Sequence, residues 1–149
     1  MAHDHAGTGF VEIYQNCNIF NDAAFFVYTE KATKKERTIF IEHGKPLVYA
    51  GETKGLRLEG FHLESVDLDT GSWSVADCVV YDETSRELAS IMARVFWHEE
   101  LPQPFGVFYR ERRETYEEQL QQQIESVIDR DGKGTLEDLL HAGDTWTIA

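Results

Sequence analysis

The chain has 149 residues with 42% apolar, 12% aromatic and 28% charged side chains, and it carries a formal charge of −13. That is the length of one domain, with enough aromatic bulk to fill a core, which excludes an intrinsically disordered chain. The acidity sets it against phosphate backbones and anionic membranes, because both recruit Lys and Arg to displace counterions. The basic residues gather only at Lys34, Lys35 and Arg37, and at Arg110, Arg112 and Arg113. No stretch of roughly 18 apolar residues is present, and the start Met1-Ala2-His3-Asp4-His5 lacks a signal peptide's basic flank and apolar run. A cytoplasmic location is expected, with neither nucleic acid nor membrane as partner.

In chain order, Gly7-Thr8-Gly9 predicts a turn, and the alternation of Phe10-Val11-Glu12-Ile13-Tyr14-Gln15 predicts a strand that delivers Cys17 to a loop. A short helix over Phe20 to Tyr28 would be capped at Asn21 or Asp22. Thr38 to Glu42 and Pro46 to Tyr49 flank His43-Gly44-Lys45, a connection of hairpin length. Further strands are expected at Leu56 to Leu58, Glu64 to Leu68 and Ala76 to Tyr81.

Thr84 and Glu87 have capping-box spacing, and Leu88, Ile91, Met92 and Val95 give an apolar stripe, so a helix is expected from Ser85 to Val95, ended by Pro102 and Pro104. Thr115 and Glu118 repeat that spacing ahead of Tyr116, Leu120, Ile124, Val127 and Ile128, which share one helical face. Gly132 and Gly134 stop this helix, and Thr135 with Asp138 starts a short one carrying Leu136, Leu139 and Leu140.

Few residue patterns point to chemistry. Asp129 to Leu140 imitates a calcium loop, but Lys133 stands where an oxygen ligand belongs and Leu140 replaces the bidentate glutamate. A helix–turn–helix accounts for the same residues. His3 and His5 sit at a terminus without a third ligand, and His43, His62, His98 and His141 are scattered. Neither G-x-S-x-G, nor a phosphate-cradling glycine loop, nor H-E-x-x-H occurs. Cys17 and Cys78 have no C-x-x-C spacing, and a disulfide between them is disfavoured in a reducing compartment. Two thiols cannot enclose an iron–sulfur cluster, yet Cys17 just beyond a strand end is well placed for a functional group.

The blocks F-V-E-I-Y-Q-N-C-N-I-F-N-D (10–22), E-H-G-K-P (42–46), K-G-L-R-L (54–58), P-F-G-V-F (104–108) and G-D-T-W-T (143–147) occur in this order. Together they closely resemble the β subunit of 2-oxoacid:ferredoxin oxidoreductases, nearest to the bacterial form associated with 2-oxoglutarate. The resemblance implies an enzyme that decarboxylates a 2-oxoacid on thiamine diphosphate and Mg2+, transfers the acyl group to coenzyme A, and reduces ferredoxin through a [4Fe–4S] cluster. It also implies an oxidoreductase α subunit as partner and Cys17 as one of the four cluster ligands.

The family's G-D-G and Y-G-L-T blocks are absent from this sequence, and Cys78 matches none of the other three cluster cysteines. The expected product is a C-terminal portion of the subunit that alone binds none of these cofactors and is inactive. Its α+β fold would comprise the last strand of the thiamine-binding α/β domain over residues 1–28, followed over 29–149 by short strands, a hairpin and C-terminal amphipathic helices. Residues 1 to about 28 should be the least packed, because the orphaned strand has two open edges. The alternative is a non-enzymatic acidic module whose aromatics and terminal helix bind a protein partner.

Overall fold

The computed structural model describes residues 2–96, 98–146 and 148. Its contacts divide the chain into two compact units, one of residues 12–111 and one that combines residues 1–11 with 112–149. The architecture is α+β, with short sheets and short helices. Among the described residues no helix is long and apolar enough to cross a membrane.

In the larger unit, α1 (Phe26–Thr29) and α2 (Lys34–Arg37) lead into β1 (Thr38–Ile41). Then come β2 (Val48–Tyr49), β3 (Lys54–Glu59), β4 (His62–Asp67), a single 3-10 turn at Val75–Asp77, α3 (Arg86–Ala93) and β5 (Gln103–Gly106). β2, β3 and β4 form an antiparallel sheet in that order, while β1 and β5 form a separate parallel pair. The core joins Ile39 and Ile41 of β1 to Leu47, Tyr49, Leu56, Tyr81, Met92, Val95 and Leu101. α3 contributes through its apolar stripe and is capped by Ser85, whose hydroxyl accepts the Leu88 N–H.

Several expected elements take another form. The hairpin across His43-Gly44-Lys45 does not exist, because β1 pairs with β5, with Thr38 opposite Gln103 and Ile41 opposite Gly106. A turn closed by the Lys45 N–H on the Glu42 carbonyl carries the chain away from β1. Pro46, with no N–H to give, then bridges to Val80. β5 was hidden by its proline, which a two-stranded sheet tolerates because each strand has a free edge. Its last residue must be glycine: Gly106 has φ +140°, and a Cβ there would lie 2.3 Å from the Ile41 carbonyl oxygen.

The strand expected over Ala76 to Tyr81 is a 3-10 turn followed by a short extended run. Ser74 and Asp77 form a reciprocal capping box that coils the start of the segment. No strand forms over Phe10 to Gln15 either, since among the described residues no other segment pairs with it, and Phe10 and Ile13 are 90% and 79% exposed. The helix expected from Phe20 shrinks to α1, after a bridge between Cys17 and Asn21 and a left-handed Ala23 at φ +62°.

In the smaller unit, α4 (Tyr116–Asp131) and α5 (Leu136–Leu140) begin with the capping boxes legible in the sequence, Thr115 with Glu118 and Thr135 with Asp138. Gly132 at φ +83° ends α4. Neither helix buries a residue, and Leu136, Leu139 and Leu140 lie open. Sparse packing is thus not confined to the first 28 residues.

Gly55 leaves no room for a side chain: a Cβ there would meet the Sγ of buried Cys78 at 2.2 Å. Gly55→Ala should therefore destabilise the unit by about 1–3 kcal/mol through overpacking. Adding Cys78→Ala should recover part of that loss, and urea denaturation midpoints of the single and double variants measure it. A double variant no more stable than Gly55→Ala would rule out the clash as the cause.

Candidate functional site around Cys17

The Cys17 turn is built from backbone polarity. The Asn21 N–H donates to the Cys17 carbonyl at 2.8 Å, and the Cys17 N–H donates back to the Asn21 carbonyl at 3.4 Å. Hydrogen bonding from the backbone N–H of Phe20, then of Ile19, with a smaller contribution from Asn21, holds the thiol below its ordinary pKa against an opposing effect of burial. A lowered pKa eases loss of the proton, and a soft metal ion binds the deprotonated sulfur.

The turn is anchored to the larger unit on both sides. Asn16 accepts the Phe25 N–H on its Oδ1 at 3.1 Å, which ties the residue before Cys17 to the start of α1. Tyr14 stacks on Phe25 at 4.8 Å and meets Phe105 of β5 and Phe96 edge-on at 5.2 and 5.7 Å, with Tyr28 at 6.3 Å. Burial, with help from Glu12 and Tyr28, pushes the Tyr14 phenol up to about 12, so it stays neutral and acts as a packing hub. Sequence reasoning missed this hub. Its only trace was the density of aromatics between Phe10 and Tyr28, and its partners Phe96 and Phe105 lie too far along the chain for any periodicity to register.

Among the described residues, Cys17 stands alone as a metal-ligand candidate in its turn. Among the described residues no group of three or more His, Cys, Asp or Glu could hold a metal ion. Both cysteines are free, and Cys78 is buried, with burial and then Asp77 pushing its thiol up. A [4Fe–4S] cluster takes four ligands, and the described residues do not supply four.

Several of the remaining candidates are engaged in local structure. In the calcium-like segment Arg130 grips Asp131 at 2.9 and 2.6 Å, and Asp138 caps Thr135 at 2.8 and 2.7 Å, leaving these carboxylates occupied. His3 pairs with Asp4 at 3.0 Å on the surface, and the His141 ring sits 2.9 Å from the Glu137 carbonyl. His43 lies 3.4 Å from Asp82 and accepts the Glu83 N–H at 3.3 Å. In an open depression beside β4, Glu64 is held by Arg57 at 3.2 Å, and His98 accepts the Glu100 N–H.

A 30% identical relative is a subunit of a 2-oxoglutarate oxidoreductase, the class whose β subunit the ordered blocks resemble. That relative is the 2-oxoglutarate oxidoreductase subunit KorB of Mycobacterium tuberculosis (strain ATCC 25618 / H37Rv), aligned over 152 positions that take in 99% of this chain and 40% of the relative. The chain thus spans about two fifths of the relative's length, and the match fits a C-terminal portion of a KorB-like β subunit. No family model and no solved structure matches the chain.

The two thiols should differ sharply in reactivity. Because its pKa is lowered, Cys17 should gain thiolate, and hence alkylation rate, at a lower pH than an unperturbed cysteine at 9.0. At neutral pH, iodoacetamide should label Cys17 at least about tenfold faster than buried Cys78, as followed by mass spectrometry of the folded chain. Equal rates would show that the turn does not activate its sulfur.

Proposed function

We propose that this chain is the C-terminal part of the β subunit of a 2-oxoacid:ferredoxin oxidoreductase acting on 2-oxoglutarate, with Cys17 as one ligand of a [4Fe–4S] cluster. The turn at Cys17 is the observation that carries the reading: backbone amides lower the pKa of its thiol, and it lies in the F-V-E-I-Y-Q-N-C block that resembles the family. The similarity to KorB over nearly the whole chain supports the same reading.

In the complete enzyme, thiamine diphosphate with Mg2+ supplies the carbanion chemistry that releases carbon dioxide and passes the acyl group to coenzyme A. Residues 1–28 belong to the thiamine-binding domain, and 29–149 form the subunit's C-terminal domain. This chain's part is to position Cys17 and to carry contacts with an α subunit and with ferredoxin. Alone it lacks three cluster cysteines and the G-D-G block, and it is inactive in the cytoplasm until joined to them. The open apolar residues of α5 favour a second reading, an acidic module that binds a protein partner without catalysis.

Co-expression with a segment carrying G-D-G and the three other cysteines should yield a complex with four irons that shows coenzyme A-dependent dye reduction with 2-oxoglutarate. Cys17→Ser should lower its iron content. A complex that forms without gaining iron would overturn the cluster assignment and leave the binding-module reading.

A further inference from the structure

The sheet β2–β3–β4 ends on β4, and the middle of that edge is unpartnered. Leu56 of β3 gives its N–H to the Leu47 carbonyl and accepts the Val79 N–H on its own carbonyl, both on the side away from β4. Leu56 and Ser65 are therefore a non-hydrogen-bonded pair, and Ser65 turns its N–H and carbonyl to the open side. Leu63, two positions back and opposite Leu58, does the same. Among the described residues nothing bonds to these backbone groups.

An open depression of about 720 Å3 lies along this edge, lined by the whole of β4 and by Trp73, His98, Glu100 and Leu101 among others. Its charge is acidic: Glu64, Asp67 and Glu100 line it, and among the described residues no Lys or Arg does. The cations nearby are committed. Arg57 lies over the Trp73 ring at 4.5 Å and divides its charge between Glu59 and Glu64, and Lys54, opposite Asp67, pairs with Glu36 at 2.8 Å. The Glu100 carboxylate has no partner among the described residues.

We propose that the β4 edge docks an extended basic segment of a partner protein, which adds to the sheet as a fourth strand. The proposal stands apart from the reading of Cys17. Strand addition draws affinity from main-chain hydrogen bonds and specificity from alternate side chains, and Leu63 and Ser65 offer the first while the carboxylates supply the second. Glu64 and Asp67 point to opposite faces of the sheet, so basic side chains on either face of the added strand meet an acid. Charge complementarity decides the occupant. A second copy of this chain would bring its own Glu64 and Asp67 to the seam, where like charges oppose pairing. The carboxylates are exposed, so the attraction fades as salt rises.

The test titrates an acetylated, amidated heptapeptide of alternating Lys and Val into the full chain, with amide exchange followed by NMR. In the free chain the Leu63 and Ser65 amides should exchange faster than those of Glu64 and Val66, which bond to β3. Saturating peptide should slow Leu63 and Ser65 by at least about tenfold. Ser65→Pro removes an outward N–H and no bond to β3, and it should weaken binding by at least about tenfold, whereas Ser65→Ala should bind as wild type. Glu64→Gln combined with Glu100→Gln should weaken binding several-fold at low salt and little at high salt. Binding that leaves Leu63 and Ser65 exchange unchanged, or that survives Ser65→Pro, would overturn the proposal. So would equal binding of a heptapeptide of alternating Glu and Val, or a chain that self-associates through β4 and takes up no peptide. The exchange readout uses the wild-type chain and decides the matter even where Ser65→Pro does not fold.

Discussion

Backbone hydrogen bonds made by residues 79–81 hold the larger unit together. The Val79 carbonyl accepts the Leu47 N–H at 2.8 Å, the Val79 N–H donates to Leu56 at 2.9 Å, and the Leu56 N–H donates to Leu47 at 2.8 Å, closing a ring of three segments. Two positions on, the Tyr81 carbonyl and N–H clamp Gly44 and Lys45 at 2.7 and 2.8 Å, and its hydroxyl donates to the Phe108 carbonyl at 2.5 Å. Tyr81 is 1% exposed, so these groups are met inside protein rather than by water. The H-G-K-P loop, the β2–β3–β4 sheet and the chain leaving β5 all hang on one short extended run.

Local signals were legible in the sequence because their physics is local. Thr115 with Glu118 and Thr135 with Asp138 form their capping boxes as the spacing requires, since both partners lie on one turn. Strands near Leu56 and Glu64 were visible because Gly60, at φ +62°, marks the tight turn between them. The β1–β5 pair was not legible. No residue of Thr38–Ile41 says that its partner is Gln103–Gly106 rather than the neighbouring Pro46 to Tyr49, and Pro104 argues against any strand. Phe10 to Gln15 has the alternation of a strand but no neighbour to complete the ladder, which no side-chain pattern can supply.

The candidate site divides the same way. Cys17 stood out through its block of neighbours, but the amides that lower its pKa depend on the Cys17–Asn21 bridge and so on backbone geometry. The cluster of Lys34, Lys35 and Arg37 was visible as charge. That Glu36 and Arg37 are spent on Lys54 and the Glu99 carbonyl emerges only in three dimensions. Surface ion pairs of this kind contribute little stability. Their effect is to shape where positive potential remains.

The parallel pairing of β1 with β5 also orders events in time. Opposed residues Thr38 and Gln103 lie 65 positions apart, whereas Glu59 and His62 in the β3–β4 turn are only 3 apart. Closing the long loop costs chain entropy before any contact rewards it, so the hairpin forms early and the two-stranded pair late. Phe105 reaches Tyr14 only once that pair is zipped, and Tyr14 is what steadies the approach to the Cys17 turn. A chain stalled before that step would hold its sheet and the local Cys17–Asn21 bridge while leaving Tyr14 without the Phe105 ring.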